Sequence, residues 1–276
     1  MAYLRIMVIT TSIFWPLGLF LTNNSHDFIT YLTPSLLLSI SFILNYKRNR
    51  YFLLPIVIIP LIDIKLTLFP LFIFLFSLFN KNIKTLQSKL FFIIIGILII
   101  FFNRYNFQQN SVFKLEYEAK QEVLREIHLY PNPFLARTFQ NKGRIVLDKL
   151  SDNFFALIDP GNYFFSFHPR EGNIINQNLV KLPFLSLIPV VIGLLNIKKI
   201  KYDFAVISLI AGVFSLSFVE IFDRSDFILW LPILIIFTNG VNILRLRQYR
   251  FIYTTFSFLF IGFSLLELLR IIHIYR

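Results

Sequence analysis

Tyr51-Phe52-Leu53-Leu54-Pro55-Ile56-Val57-Ile58-Ile59-Pro60-Leu61-Ile62-Asp63-Ile64-Lys65-Leu66-Thr67-Leu68-Phe69-Pro70 opens an apolar run that continues to Asn80. As one helix the run would extend about 45 Å at 1.5 Å per residue. The hydrocarbon core of a bilayer is about 30 Å thick. Asp63 and Lys65 interrupt the run, and both of its ends carry basic clusters: Lys47, Arg48 and Arg50 before it, Lys81, Lys84 and Lys89 after it. Short basic loops stay on the cytoplasmic side, so a hairpin of two short arms, turning near Asp63, keeps both clusters there. A single tilted helix is the alternative, and it would put them on opposite sides. Pro55, Pro60 and Pro70 lack amide donors and are expected to kink the arms.

Further apolar runs lie on either side, and helices are expected near residues 6–22, 28–45, 88–103, 182–197, 204–221, 227–244 and 251–270. With the hairpin, this is an all-α polytopic membrane protein of about nine transmembrane helices. Three regions follow: N-terminal transmembrane helices over 1–103 with the hairpin at 51–80, a segment at 104–181 outside the membrane, and C-terminal transmembrane helices over 182–276. Two more basic clusters, Lys198, Lys199 and Lys201, and Arg245, Arg247 and Arg250, fall on the cytoplasmic side with the first two when the N-terminus is cytoplasmic. The joints holding Asp27, Asp63 and Asp223 to Asp226 then face outward, and loop 104–181 is external. The pattern fits a multi-pass protein of a bacterial inner (cytoplasmic) membrane. The first apolar run lacks a small-residue cleavage site, so it reads as a retained helix.

Composition agrees. Of 276 residues 56% are hydrophobic and 15% charged, a balance far from that of soluble domains and natural for a surface facing the lipid bilayer. The net charge of +12 is gathered in the short clusters flanking the apolar runs, which argues for topology signals and against a nucleic-acid partner. The absence of cysteine excludes disulfides, thiolate metal sites and a cysteine nucleophile. Four histidines are too few for a histidine-rich metal centre.

The external region 104–181 reads as helical. Phe113 to His128 form a first stretch, with Glu116 and Lys120 one turn apart. Tyr130-Pro131-Asn132-Pro133 ends it, and Asn132 supplies a cap for a second, amphipathic helix carrying Leu135, Phe139, Ile145, Val146, Leu150 and Phe154. That helix either lies on the membrane or packs within the external region.

No glycine-rich phosphate loop, HExxH pair, GxSxG elbow or EF-hand loop is present. The most unusual polar segment is Asp159-Pro160-Gly161-Asn162-Tyr163-Phe164-Phe165-Ser166-Phe167-His168-Pro169-Arg170-Glu171. After it come Lys181-Leu182-Pro183-Phe184-Leu185-Ser186-Leu187-Ile188-Pro189 and Ile192-Gly193-Leu194-Leu195, and later Phe222-Asp223-Arg224-Ser225-Asp226 with Leu231-Pro232 and Asn239-Gly240-Val241. This succession, from about residue 130 to 270, resembles the C-terminal part of GT-C-type membrane glycosyltransferases, the group of protein O-mannosyltransferases and lipid A aminoarabinose transferases. The resemblance implies a polyprenyl-phosphate-linked sugar as donor and transfer at the outer face of the membrane. It also implies a carboxylate on a first external loop that activates the acceptor. Here the joint after the first helix is just Thr22-Asn23-Asn24-Ser25-His26-Asp27, so the chain departs from the family where the catalytic loop belongs. Asp27 is the one residue carried over as catalytic base.

Lys65, Arg170 and Arg224 are the cations expected to hold phosphate, since a guanidinium matches phosphate oxygens bidentately. Each also reads as an interfacial residue whose charged tip snorkels to water. His168 is a candidate donor to phosphate or acceptor. Glu171 is a candidate base or metal ligand, which admits a divalent cation, although no cofactor is required. Asp223, Arg224 and Asp226 also read as a local charge network, and Glu267 with Arg270 as an ion pair one turn apart. Two other functions fit the same chain: a non-catalytic membrane subunit docking a protein partner through its external region, and an envelope-polysaccharide polymerase or ligase in which Arg144, His168 and Arg170 matter. A transporter is disfavoured, because no charged residue other than Asp63 and Lys65 sits deep in an apolar run.

Overall fold

A computed structural model describes residues 2–22, 25–47, 51–77, 86–114, 121, 123–125, 127–128, 141–165, 181–196, 203–219, 224–246 and 249–274. Among them the chain is helical, with one isolated antiparallel bridge, Ser111 to Val219. The helices are α1 (Ala2–Thr22), α2 (Ser25–Tyr46), α3 (Leu54–Ile62), α4 (Phe69–Ser77), α5 (Leu86–Gln109), α6 (Lys142–Ile158), α7 (Gly161–Phe164), α8 (Leu187–Leu195), α9 (Asp203–Ser217), α10 (Trp230–Leu244) and α11 (Arg250–Ile274).

Among the described residues, four stretches are long and apolar enough to cross a membrane: Tyr3–Leu21, Asp27–Tyr46, Ser225–Leu244 and Phe251–His273. Their outer surfaces carry large apolar side chains such as Ile9, Ile13, Phe20, Ile43, Phe251, Phe258 and Leu269. Exposed apolar surface on this scale suits a hydrocarbon environment. Several hydroxyls inside these helices bond locally: Thr10 to Ile6 O, Thr11 to Met7 O, Thr33 to Ile29 O and Ser39 to Ser35 O. A hydroxyl satisfied by its own helix costs little in an apolar setting.

The Tyr51–Asn80 run is broken at Asp63. α3 and α4 are nine residues each, about 13 Å long, well short of a bilayer core. Between them Asp63 caps a single 3-10 turn, Ile64–Leu66, by accepting from Lys65 N at 3.0 Å. Pro55 lies at the start of α3 and Pro70 in the first turn of α4, where a missing amide breaks no helical bond. Of the three prolines only Pro60 is interior, so two of the expected kinks are helix starts.

α8 and α10 form the tightest pair. A Cβ on Gly193 would collide with Ile236 O, and one on Gly240 with Pro189 O. The two glycines therefore let the backbones touch, the small-residue packing used where lipid offers no hydrophobic drive. Around this pair the core is aromatic, with Phe69, Phe74, Phe204, Phe227, Phe237 and Phe260 fully buried.

The chain around Phe113 differs from expectation. Val112 N donates to Phe218 O at 2.9 Å beside the Ser111 to Val219 bridge, and 112–113 form a turn. The start of the expected helix at Phe113 is thus taken by pairing with the end of α9, while residues 121, 123–125 and 127–128 of that stretch are helical. The expected cap Asn132 lies outside the described residues. α6 instead starts after Asn141, whose side chain accepts from Arg144 N at 3.0 Å, so Leu135 and Phe139 precede it. One face of α6 packs on α9. Buried Asn153 donates to Ser217 O at 3.2 Å and Val219 O at 2.8 Å, satisfying carbonyls that the end of α9 leaves open.

Candidate functional site

The last turn before α10 is a 3-10 helix, Arg224–Leu229, and it is the hub of the polar interior. Ser35 Oγ of α2 donates to Phe227 O at 3.1 Å, fixing this turn against α2. Ser35 lies nearly three turns, about 15 Å, inside the start of α2, and Trp15 about two turns, roughly 10 Å, before the end of α1. Trp15 meets Phe227 edge-on at 5.5 Å, and Phe227 stacks on Trp230 at 5.3 Å. The turn is therefore recessed below the α1–α2 joint.

A second segment enters from the other side. Asp159 Oδ1 accepts from Gly161 N at 2.7 Å, which folds the chain into α7. Tyr163 OH donates to Leu157 O, and Leu182 N donates to Tyr163 O at 2.9 Å. These bonds hold Lys181 in the interior. Its ammonium donates to Asp226 Oδ2 at 2.9 Å and to Asn162 Oδ1 at 3.1 Å, and stands 5.3 Å from the centre of the Trp15 ring. Asn162 Nδ2 adds a long 3.5 Å contact to Asp226 Oδ2. Both charged side chains are 4% exposed. Burial on this scale is tolerated only where charge meets charge and remaining donors find partners. Here two oxygens and an aromatic face surround the ammonium.

Asp63 supplies a second buried carboxylate. Its Oδ2 accepts from Ser225 Oγ at 2.7 Å while Oδ1 caps the turn. Ser225 and Asp226 are neighbours, so one 3-10 turn ties the α3–α4 break to the Lys181 segment. The expectation that Asp63 and Asp226 sit on outward joints is thus refined: both carboxylates are buried in protein. Asp226 pairs with Lys181, distant in sequence, while Asp223 and the Arg224 side chain, the other members of the expected local network, lie outside the described residues.

Of the residues singled out from sequence, Asp27 stands exposed in the first turn of α2 and does not reach the buried cluster. Lys65 is half-buried in the turn capped by Asp63. Arg224 is the first residue of the 3-10 turn, adjacent to Ser225. The Asp63 to Ser225 bond consequently brings the segments of Lys65 and Arg224 together. His168, Arg170 and Glu171 lie outside the described residues. Among the described residues, no three His, Asp or Glu side chains gather as metal ligands would.

Lys181, Asn162 and Asp226 carry the site and were not chosen from sequence. The signal was present: Asp226 abuts Phe227-Ile228-Leu229-Trp230, and Lys181 stands between Val180 and Leu182, each a charge pressed against apolar neighbours. No family model, curated protein or solved structure matches the chain.

Proposed function

We propose that the chain is a membrane-embedded glycosyltransferase that uses a polyprenyl-phosphate-linked sugar at the outer face of the membrane. In this reading it crosses a bacterial inner membrane about nine times, with a cytoplasmic N-terminus and segment 104–181 outside, and is reduced relative to the GT-C pattern. What supports it is the junction made by Asp63 and Ser225, which sets the segments of Lys65 and Arg224 side by side within the bundle. Two cations on touching turns suit a phosphate ester whose charge grows as the sugar leaves. The acceptor oxygen bonds to the anomeric carbon, the bond from that carbon to the phosphate oxygen breaks, and the acceptor proton passes to a carboxylate, assigned to Asp27. His168 and Arg170 complete the phosphate contacts, and Glu171 offers a further base or a ligand for a divalent cation.

The test is release of polyprenyl phosphate from a labelled donor by purified protein in liposomes. Lys65→Ala, Arg224→Ala and Asp27→Asn are each expected to lower turnover about tenfold or more, the worth of a charge-assisted contact made in the transition state. Equal activity in all four proteins would remove this site. The mutual neutralisation of Lys181 and Asp226 favours a second reading, a non-catalytic subunit docking a membrane partner. No release above that of empty liposomes with any acceptor, together with a stable co-purifying partner, would select it.

A further inference from the structure

α6 presents two apolar faces where a helix packed only in protein needs one. Leu157 and Asn153 are buried, and Phe154 meets Phe214 of α9 at 5.6 Å. On the neighbouring flank Leu147, Phe155 and Ile158, spaced four, eight and eleven residues along the same stripe through Ser151, are 65%, 67% and 53% exposed. Lys142 and Asp152 are exposed on other arcs, whereas Arg144 and Asp148, paired at 3.6 Å, occupy the N-terminal turns of this flank, one turn from Leu147.

Two observations identify what covers the stripe. First, it is continuous with the apolar exterior of the bundle. Phe214 and Ile210 on α9 are themselves exposed, and Phe72 and Phe76 of α4 pack beside Phe214 at 5.9 and 5.8 Å. Second, the bonds from Asn153 to Ser217 O and Val219 O pin α6 at the end of α9, the level where a membrane helix gives way to polar surroundings. A flank at that level, apolar toward its C-terminal end and carrying an ion pair at its N-terminal end where long side chains can reach headgroups, matches a helix lying in the boundary between headgroups and acyl chains.

We infer that α6 is an interfacial helix, its Leu147, Phe155 and Ile158 flank sunk in a lipid surface while its Asn153 and Leu157 flank is locked onto α9. The two alternatives drawn from sequence then describe the two sides of one helix. A consequence follows for the polar cluster. Ile158 is separated from Asn162 only by the Asp159 turn, so the lipid surface that seats α6 also sets the depth of the Lys181 and Asp226 pair. The inference rests on the membrane environment and not on the proposed enzymatic activity.

The chain has no native cysteine, so single cysteines at 147, 155 and 158, with 142 and 152 as controls, take a fluorescent label in phosphatidylglycerol and phosphatidylethanolamine nanodiscs. All five side chains are exposed, which keeps the substitutions compatible with folding. Quenching by lipid-borne doxyl groups, relative to aqueous iodide, is expected to be about threefold or more greater at 147, 155 and 158 than at 142 and 152. Equal iodide quenching at all five positions would overturn the inference. Protection of the stripe from both quenchers would do so as well, by showing that a second copy or another protein covers it. Neither result bears on polyprenyl phosphate release.

Discussion

The Lys181 ammonium and the Asp226 carboxylate meet at 2.9 Å across a gap in sequence that spans α8 and α9, with both side chains almost wholly buried. Removing one partner leaves an uncompensated buried charge, which costs about 3–5 kcal/mol, whereas replacing both by apolar groups is often neutral. Lys181→Met is therefore expected to lower the unfolding midpoint in detergent sharply, and Lys181→Met with Asp226→Leu to recover most of it. Thermal unfolding followed by tryptophan fluorescence reads this, since Trp15 lies against the ammonium. Additive losses in the double variant would show that the two residues act independently.

Asn153 ties α6 to α9 by two bonds from one amide. Asn153→Ala orphans two carbonyls and is expected to destabilise by about 1–3 kcal/mol. Limited proteolysis around residue 141 should then speed up before α9 itself becomes accessible. Unchanged cleavage would mean that aromatic packing alone holds the helix.

Gly193 and Gly240 set the distance between α8 and α10. Gly240→Ala forces a methyl group against the Pro189 carbonyl, an overpacking expected to cost about 1–3 kcal/mol or more. Gly262→Ala in α11 is the control, because nothing lies within 4 Å of its added Cβ. There the change is expected to be neutral, or to stabilise by up to about 1 kcal/mol through helix propensity. Similar melting temperatures for the Gly193→Ala, Gly240→Ala and Gly262→Ala proteins would refute the close approach.

Asp27 is exposed while Ser225 is buried against Asp63. Single cysteines at the two positions are expected to react with a hydrophilic maleimide at rates differing by about tenfold or more, because modification at 225 requires local opening. Comparable rates would show that the 3-10 turn is open to water.

The helices were legible because apolar runs of spanning length, bounded by charged joints, leave few alternatives; α1, α2, α10 and α11 lie where hydropathy puts them. The break at Asp63 was legible for the same reason, since a carboxylate within such a run has to cap something or leave. Lys181 was not legible. A lysine at the edge of an apolar run ordinarily snorkels, and only tertiary contacts with Asn162, Asp226 and Trp15 turn it inward. Asn153 was obscured likewise, as an amide on an amphipathic helix counts as polar surface until the carbonyls it serves are known. The start of α6 after Asn141 was not legible either, because an asparagine cap was equally available at Asn132 and the residues between them carry no stronger signal. Lys65 and Arg224 were singled out for their charge, but the bond that joins their segments comes from Asp63 and Ser225, a pair that no spacing announces.

The nine-residue length of α8 carries a consequence for biogenesis. A segment that short is a poor substrate for lateral release into lipid on its own, and the partner it needs, α10, emerges from the ribosome only after α9. α8 must therefore linger beside the insertion machinery, or at the membrane edge, until Gly240 arrives to receive it. Assembly of this half of the protein is then posttranslational in order, even if its synthesis is strictly sequential. A nascent chain truncated after α9 should remain accessible to protease at α8, and one extended through α11 should not.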